Sequence, residues 1–489
     1  MVSDVHVRYL SSPDSPDWDG YGSTDTLQKT LAWFRDQNVD AVLIAGDMAD
    51  CGVISQLEAV ATAWRTVFPD DTASDGRRVA RIFVYGNHDM GGLPYARNWL
   101  ETHGVPDAAE MNRRIICSDP KAAWESVFGE AFEPIFRKTV KGYDFVGAHW
   151  MVQGCKGKDE AFNDGIADYY DRIGRSIDPS RPFFHVQHPH PKDTCYGPWA
   201  WGRDVGLTTR ALSAFPNAIA FSGHSHYSLT DERSIWQGAF TSVGTSSLRR
   251  SARTLTCGEY APAGYDNSNT AGPDAWRLNA EKLTPPLMTE DCRQGMFWSV
   301  FDECVTVKRR EFLSGLDVGD DWVMPLPAAE PKPFAYAERA RKFFAPEFAA
   351  DAVVSVANGR AANHGGKSRD GREVVERRER DVLVVAVPAP VQTKASRLLD
   401  LEFLAETKSR KRILKRVRAE GYNHSLAHPK AKSDQECLFA AGDFLNDEVR
   451  FLVTPIGNFR LRGKTIASEW ISCNKGDASG ASVKQKIKS

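Results

Sequence analysis

Five short segments of the 489-residue chain combine aspartate, histidine and asparagine at close spacing. Imidazole together with carboxylate suits borderline divalent metals such as zinc, iron(II) and manganese, whereas calcium and magnesium sites use mainly oxygen. Any one segment alone is typical of an ordinary loop or turn. All of them together predict a metal site assembled from distant parts of the chain. The segments are Asp4-x-His6, Gly46-Asp47-x-x-Asp50, Gly86-Asn87-His88-Asp89, His188-Pro189-His190-Pro191 and Gly223-His224-Ser225-His226.

Each segment follows a stretch that is typical of a short buried strand. Four of these stretches are residues 40–45, 82–85, 183–187 and 218–222, and Asp4 ends a shortened fifth strand. Loops at the carboxyl edge of a sheet build ligand sites, so we expect the segments to converge there. In extended chain, residues i and i+2 point the same way. Asp4 with His6, and His224 with His226, are therefore each expected to act as a local pincer.

The order of these motifs resembles that of the calcineurin-like metallophosphoesterase superfamily, over roughly residues 1–325. The resemblance implies a four-layer α/β/β/α sandwich with two divalent metal ions, manganese, iron or zinc, between the sheets. It assigns the first ion to Asp4, His6, Asp47 and His226, and the second to Asp47, Asn87, His188 and His224, so that Asp47 bridges both ions. His190 is the alternative to His188 in the His-Pro-His-Pro segment, and we favour His188 because it follows the strand directly.

The resemblance also implies a reaction. Two cations ~3.5–4 Å apart lower the pKa of a bridging water, and the resulting hydroxide attacks a phosphate mono- or diester in line with the leaving oxygen. His88, whose family counterpart lies outside the metal shell, is expected to protonate that oxygen. Asp89 is expected to fix the tautomer of His88 and raise its basicity. Further candidates for substrate contact are His190, His149, Tyr227 and Arg203. The alternative for Tyr227 and Arg203 is packing of loops onto the core, and for His190 it is a support of the metal ligands or an ordinary loop histidine.

Strands and helices alternate in the first half of the chain, which predicts an α/β fold with a mostly parallel sheet. Residues 1–325 are predicted to form the catalytic domain, and residues 326–350 a linker with a short helix. Residues 351–473 are predicted to form a smaller all-β sandwich, which resembles fibronectin type III modules in strand count and length. The last residues, 474–489, are rich in Gly, Ser and Lys, and we expect them to be disordered.

Composition limits the classes of partner. Lys and Arg number 62 against 64 Asp and Glu, and this near-neutral balance argues against nucleic acid as a partner. No apolar run approaches the ~18 residues that a membrane span needs. The basic run at residues 408–418 is predicted to be a solvated strand face with Ile413, Leu414 and Val417 packed inward, with nucleic-acid binding as the alternative. Two locations are compatible with the sequence: the cytoplasm, or an exported location if a leader precedes this chain.

The leading hypothesis is therefore a hydrolase that acts on a small phosphorylated substrate. A nuclease of the same superfamily is the alternative within enzymes, and the absence of a basic groove in the sequence disfavours it. A non-catalytic binding scaffold is the alternative outside enzymes, and the complete set of candidate ligands disfavours it. In either case the C-terminal domain could contact a protein, or a carbohydrate if the protein is exported.

Overall fold

The computed structural model describes residues 1–8, 24–153, 160–196, 204–249, 280–283, 293–363, 365–367, 373–419 and 434–473. Arg203 and the tail at 474–489 lie outside these residues. The described residues fall into two compact units. The first holds those within Met1–Ala252 and Asp291–Glu338, and the second those within Arg253–Glu290 and Arg339–Ser489.

The first unit combines α-helices with β-sheets. Its α-helices are α1 (Thr24–Asp36), α2 (Ile54–Val67), α3 (Leu93–Thr102), α4 (Ala108–Arg113), α5 (Pro120–Phe128), α6 (Ile166–Ile173) and α7 (Leu207–Leu212), and α8 (Tyr336–Ala340) lies at the boundary of the two units. Short 3-10 helices span Pro69–Asp71, Ile116–Ser118, Gly174–Ser176 and Glu232–Ser234.

The strands of the first unit form two main sheets. The strands are β1 (Ala41–Ala45), β2 (Ala80–Val84), β3 (Ile135–Val140), β4 (Tyr143–Ala148), β5 (Phe183–Val186), β6 (Ala218–Ser222), β7 (Ile235–Gln237), β8 (Thr241–Gly244), β9 (Gln294–Val300), β10 (Cys304–Glu311), β11 (Leu316–Asp317) and β12 (Trp322–Pro325). One sheet has the order β3-β4-β5-β6-β8-β7, with β4, β5, β6 and β8 parallel. The other is built around the parallel pair β1-β2 and the antiparallel strands β9 to β12.

The N-terminal segment joins the two parts of that second sheet. Val2 bridges Ile44 of β1 in parallel register. On its other side, the amide of Met296 in β9 donates to the carbonyl of Met1 at 2.9 Å. Met1 and Val2 therefore lie between β1 and β9, paired by an isolated bridge and by backbone hydrogen bonds, which places the residues that follow them at the carboxyl end of β1.

Apolar packing holds the sheets and helices in place. One buried cluster combines Leu43 and Ile82 of one sheet with Phe184 and Phe221 of the other. On the helical side, the face of α1 that carries Leu27, Leu31 and Phe34 is buried, with Trp64 of α2, in a second cluster. This spacing of i, i+4 and i+7 is the one that places apolar side chains on a single face of a helix.

The strands that the structure describes in the second unit all pair in antiparallel fashion. The strands are β13 (Ser355–Ala362), β14 (Gly366–Lys367), β15 (Glu373–Val375), β16 (Glu379–Pro388), β17 (Leu398–Thr407), β18 (Arg412–Arg418), β19 (Asp434–Ala440), β20 (Glu448–Gly457), β21 (Ile466–Ala467) and β22 (Ile471–Ser472). Short 3-10 helices span Ala441–Phe444 and Asn458–Arg460. Two sheets, β13-β16-β19 and β18-β17-β20-β21 with β22 also paired to β20, share a core that includes Phe403, Phe439 and Phe451.

The predicted α/β class and the C-terminal all-β region are confirmed. The basic run also contains the predicted strand, β18, where Arg416 pairs with Glu402 at 3.0 Å. Leu414, however, is 45% exposed, because successive side chains of a strand face opposite sides and Val417 occupies the buried one. Among the described residues, no helix has the length and apolar character needed to cross a membrane.

Candidate metal centre

The first candidate cluster contains Asp4, His6, Asp47 and His226, whose ligand atoms all lie within 4.8 Å of one another. Nε2 of His226 lies 3.0 Å from Oδ1 of Asp4 and 3.1 Å from Nε2 of His6. The same His6 nitrogen lies 3.5 Å from Oδ2 of Asp47. Two carboxylates and two imidazoles therefore point at one small volume.

A second cluster shares Asp47 with the first. Nε2 of His188 lies 3.2 Å from Oδ2 of Asp47, 3.1 Å from Nδ1 of His224 and 3.0 Å from Oδ1 of Asn87. Oδ2 of Asp47 is thus close to histidine nitrogens of both clusters. Among the two histidines of the His-Pro-His-Pro segment, His188 is the one that the structure brings to this cluster.

The donor set fits a cation in each cluster. Each cluster holds two imidazole nitrogens 3.1 Å apart, a distance at which two lone pairs repel unless a proton or a metal cation lies between them. Burial lowers the pKa of His6, but hydrogen bonds to Asp4 and Asp50 raise it to about 9. Burial also lowers the pKa of His188, but the charge of the nearby Asp47 carboxylate raises it to about 9. Both shifts show that the clusters attract positive charge.

The second ring nitrogen of these histidines sets their orientation. Nδ1 of His6 lies 3.1 Å from Oδ1 of Asp50, and Nδ1 of His188 lies 2.7 Å from the carbonyl oxygen of Ala45. A ring that donates from Nδ1 to an oxygen presents the lone pair of Nε2 to the cluster, as metal-binding histidines commonly do. Asp50 therefore orients His6 and is not itself aimed at either cluster.

The backbone at the candidate ligands is left-handed where extended chain was expected. The φ angles are +50° at Asp4, +48° at His6, +50° at Asp47, +70° at His224 and +55° at His226. Such angles cost on the order of 1–3 kcal/mol each in non-glycine residues and persist only where the surroundings enforce them. Asp4 and His6 do belong to one cluster, as expected, but through left-handed and not extended backbone, whereas the pincer of His224 and His226 is wrong, because these two reach different clusters.

Three motif glycines make room for candidate ligands of other motifs: Gly46, whose added Cβ would lie 2.6 Å from Cγ of His188 and closer still to its Nδ1, Gly86 and Gly223. A Cβ on Gly86 would lie only 2.9 Å from Cγ of Asp47, and closer still to its Oδ1 and backbone nitrogen. A Cβ on Gly223 would likewise collide with Oδ2 of Asp4 and would lie 2.6 Å from Oγ of Ser3. Gly86 and Gly223 thus permit the close approach of a carboxylate from another motif, and Gly46 that of an imidazole.

His88 lies beside the first cluster, 29% exposed, with its ring 4.5 Å from that of His6. Its Nδ1 lies 2.7 Å from the carbonyl oxygen of Asp50. Asp89 does not contact His88; its carboxylate accepts backbone hydrogen bonds from Gly86 and Ala49, both at 2.7 Å. The expectation that Asp89 fixes the His88 tautomer is wrong: a backbone carbonyl holds that ring, and Asp89 holds the loops of two motifs together.

Three of the candidates for substrate contact are buried in the core. Both ring nitrogens of His190 lie 2.7 Å from serine hydroxyls, those of Ser222 and Ser225, and the side chain is 2% exposed. His149 accepts the backbone N–H of Tyr85 at Nδ1, at 3.0 Å, and burial lowers the pKa of His149 to about 3.

Tyr227 is 4% exposed, and its ring lies 4.8 Å from that of Tyr196. For Tyr227 this burial agrees with the packing alternative, and His190 and His149 are buried as well. A histidine or tyrosine that follows a strand can pack in the core and need not contribute to a binding site. Arg203 lies outside the described residues.

Two residues beside the clusters were not predicted from the sequence. The Arg249 guanidinium is hydrogen-bonded to Asp50, and its backbone N–H donates to the carbonyl of Asp4 at 3.0 Å. The ring of Trp150 lies 5.8 Å from that of His224. Trp150 closely follows the end of β4, so the strand-end signal that found the other motifs was present for it, whereas Arg249 lies farther along the chain from the end of β8.

Comparison with known proteins supports the same site. Residues 1–228 match the family model of the calcineurin-like phosphoesterases, and all seven candidate ligands lie within the match. This confirms the resemblance that the motif order indicated. No curated protein matches the chain at a significant level.

Two solved structures show weaker likeness. One is a conserved uncharacterized protein from Streptococcus pneumoniae TIGR4, a predicted phosphoesterase, with 13% identity, coverage of 66% of this chain and 94% of that chain, and a TM-score of 0.21. The other is a glycosyl hydrolase family 2 member from Bacteroides cellulosilyticus, with 9% identity, coverage of 92% of this chain and 59% of that chain, and a TM-score of 0.18. TM-scores of this size do not establish a shared fold.

The close contact between Gly86 and Asp47 predicts that a small substitution at Gly86 weakens metal binding. In Gly86→Ala, the new methyl group displaces the Asp47 carboxylate, and we expect Mn²⁺ affinity to fall about 10–100-fold, as when groups that orient ligands are removed. The measurement is Mn²⁺ titration by calorimetry. Gly174→Ala is the matched control, because its φ is −53° and the nearest atom to the added Cβ is 3.4 Å away. Unchanged Mn²⁺ affinity in Gly86→Ala would contradict the assignment.

The buried hydrogen bond between His190 and Ser225 predicts a second, indirect effect on metal binding. Ser225 lies between His224 and His226, so His190→Phe removes a hydrogen bond that holds the loop carrying both. We expect about tenfold weaker Mn²⁺ binding with the far-UV spectrum retained. His185→Phe is the comparison, since His185 is equally buried but bonds Tyr170 and Gln187. Equal Mn²⁺ affinities of the two variants would show that His190 contributes only to general stability.

Proposed function

Because residues 1–228 match the calcineurin-like phosphoesterases, we propose that this protein hydrolyses phosphate mono- or diesters with two divalent cations, manganese, iron or zinc. The observation that carries the proposal is the shared Asp47 oxygen, which faces a histidine of each cluster at 3.5 and 3.2 Å. The first cation would be held by Asp4, His6, Asp47 and His226, and the second by Asp47, Asn87, His188 and His224.

We further propose that the first unit is the four-layer sandwich of this family. Its support is the apolar cluster that contains side chains of both sheets, together with helices such as α1 and α2 that pack in a separate cluster. A fibronectin III-like identity for the all-β region is a proposal of the same kind, supported by its two antiparallel sheets and common core.

Bound cations of this type would lower the pKa of a water and neutralise phosphate oxygens. The residues of the chain provide fixed positions for them. Ser3 donates to Oδ2 of Asp4 at 2.5 Å, and the backbone N–H of His224 donates to the same oxygen at 3.0 Å. The backbone N–H of His88 donates to Oδ1 of Asp47 at 2.8 Å, which leaves Oδ2 for the clusters.

His88 is the proposed proton donor to the leaving oxygen. Its Nδ1 faces the Asp50 carbonyl oxygen at 2.7 Å, so Nδ1–H donates there and Nε2 is left to carry and release a proton. Burial lowers the pKa of His88, so the ring is mostly neutral near neutral pH and has to take up a proton at Nε2 before it can donate one. Packing between the rings of His6 and Tyr95, at 4.5 and 5.0 Å, restricts its rotation.

The substrate is proposed to be a small phosphorylated molecule. The net charge of −2 gives no long-range attraction for polynucleotides, which disfavours the nuclease alternative. The candidate ligands and His88 are all present, which disfavours a scaffold without catalysis. The all-β region could still contact a protein or a carbohydrate.

Metal removal tests the proposed reaction. We expect the Mn²⁺-loaded protein to hydrolyse p-nitrophenyl phosphate or bis-p-nitrophenyl phosphate, to lose this activity in EDTA, and to regain it when Mn²⁺ is added back, because the cations supply the nucleophile. Release of p-nitrophenolate is the measurement, with Asp47→Asn as the inactive control. The preferred ester separates phosphatase from phosphodiesterase. If neither ester is cleaved with Mn²⁺, Fe²⁺ or Zn²⁺, the proposed function is wrong.

The leaving group tests His88. In His88→Ala we expect unchanged Mn²⁺ affinity and a kcat lowered by ~10²–10⁴ for an alkyl phosphate, whose leaving oxygen needs a proton. The same variant should lose much less activity toward p-nitrophenyl phosphate, because p-nitrophenolate leaves without protonation. Equal losses for both esters would assign His88 a structural role, and no loss for either would remove it from the mechanism.

A further inference from the structure

Asp50 contacts both a candidate ligand and the proposed proton donor. Its Oδ1 lies 3.1 Å from Nδ1 of His6, and its backbone carbonyl oxygen lies 2.7 Å from Nδ1 of His88. The side chain of Asp50 is 10% exposed, and a carboxylate buried to that degree needs charged or hydrogen-bonding partners. The groups that hold the Asp50 carboxylate therefore also set the direction of the His6 ring.

Arg249 is the charged partner on the oxygen that faces His6. Its Nη1 donates a hydrogen bond to Oδ1 of Asp50, and charge-assisted bonds of this kind are stronger than neutral ones. The backbone N–H of Arg249 donates to the carbonyl of Asp4 at 3.0 Å, and the hydroxyl of Ser247 donates to the same carbonyl at 3.1 Å. The main chain of Arg249 is thus fixed at one candidate ligand, while its side chain holds the group that orients another.

A second guanidinium lies near the other oxygen of this carboxylate. Nε of Arg8 is 3.9 Å from Oδ2 of Asp50, which is beyond hydrogen-bond distance. If Arg249 were absent, the carboxylate could turn toward Arg8 and away from His6. Nδ1 of His6 would then lose the acceptor that directs its Nε2 into the first cluster, and orienting acceptors of this kind contribute to metal affinity.

The side chains around Asp50 form a third group with metal-binding chemistry. One ligand atom each of His6, Asp50 and His88 lie within 4.8 Å of one another. The guanidinium of Arg249 is hydrogen-bonded to the carboxylate of this group and supplies positive charge there. The group is therefore satisfied by an ion pair and needs no third cation.

The charge of Arg249 by itself disfavours a cation nearby. Like charges repel, so a guanidinium beside the first cluster weakens the binding of a cation there unless its contacts compensate. The contact with Asp50 acts in the opposite direction, because it keeps in place the oxygen that orients His6. Loss of the charge and loss of the contact therefore have opposite effects on Mn²⁺ affinity, so the sign of the change identifies the role of Arg249.

We propose that Arg249 is a positioning residue for the first cation: it holds Asp50 in the orientation that directs His6 into the first cluster. Because His6 is a candidate ligand of the first cation alone, Arg249 acts on one of the two cations and leaves the affinity for the other unchanged. The consequence for ester cleavage rests on the proposed function, whereas the effect on metal binding does not.

Arg249→Met removes the guanidinium and keeps an unbranched side chain. Calorimetric titration of the full 489-residue chain should show two bound Mn²⁺ in the wild type, and one of the two bound about tenfold more weakly in the variant. The Mn²⁺ concentration for half-maximal cleavage of p-nitrophenyl phosphate or its bis ester should rise by about the same factor, with kcat at saturating Mn²⁺ within about twofold of the wild type. Unchanged or tighter binding of both Mn²⁺ in Arg249→Met would overturn the proposal.

Two control variants separate positioning from general effects. Arg137 is 27% exposed, against 26% for Arg249, and pairs with Asp144 across the β3–β4 hairpin, so Arg137→Met removes a matched ion pair away from the clusters. Arg8→Met removes a guanidinium from the other side of Asp50. Both controls should bind Mn²⁺ no more weakly than the wild type. A loss in either control equal to that in Arg249→Met would assign the effect to stability or net charge and overturn the proposal.

A double-mutant cycle tests whether Arg249 acts through Asp50. Asp50→Ala should itself weaken the binding of one Mn²⁺, because His6 loses its acceptor. Adding Arg249→Met to Asp50→Ala should cause no further loss of Mn²⁺ affinity, since the contact that Arg249 makes is already gone. A further loss of about tenfold in the double variant would show that Arg249 acts independently of Asp50 and would overturn the proposal.

The positioning role and the hydrolase function fail separately. If Arg249→Met weakens the binding of one Mn²⁺ but the wild type cleaves no ester, the positioning role stands and the proposed hydrolase function is wrong. If esters are cleaved but Arg249→Met binds both Mn²⁺ as the wild type does, the hydrolase function stands and Arg249 does not position the first cation.

Discussion

One carboxylate, that of Asp47, has to serve two clusters at once. Its Oδ2 lies between Nε2 of His6 and Nε2 of His188, while its Oδ1 is held by the backbone N–H of His88 at 2.8 Å. A shared oxygen of this kind allows two cations to lie close together only if the histidines approach it from opposite sides. The two sheets meet that demand, because β1 delivers Asp47 and the other strands bring the histidines to it.

The backbone that achieves this convergence is strained. Five of the seven candidate ligands have positive φ, and the energy that this costs is offset by contacts around them. The amide of His6 donates to the carbonyl of Asp47 at 2.9 Å, and that of Asp4 to Gly46 at 3.0 Å. Buried serine hydroxyls and the carboxylate of Asp89 hold the neighbouring loops. The rigid apolar cluster between the sheets therefore supports a site that local preferences alone would not form.

The elements and most of the candidate ligands were predictable because their signals are local. An apolar stretch such as residues 218–222 followed by Gly-His-x-His shows both the strand and the chemistry that follows it. The side-chain directions were not predictable, because they depend on the turn after each strand. His149 and His190 follow strands as the ligands do, yet both are buried, and Asp89 binds backbone amides where a contact with His88 was expected.

The amino-acid sequence by itself determined the α/β class, the order of strands and helices, the all-β C-terminal region and the kind of metal that the donors suit. These follow from hydrophobic periodicity and residue chemistry, which are properties of short segments. Only the tertiary structure decided which histidine of residues 188–190 joins the cluster, that Asp89 binds backbone amides, and that Arg249 lies beside Asp50. Such facts are distances between residues far apart in the chain, and packing of the two sheets sets those distances.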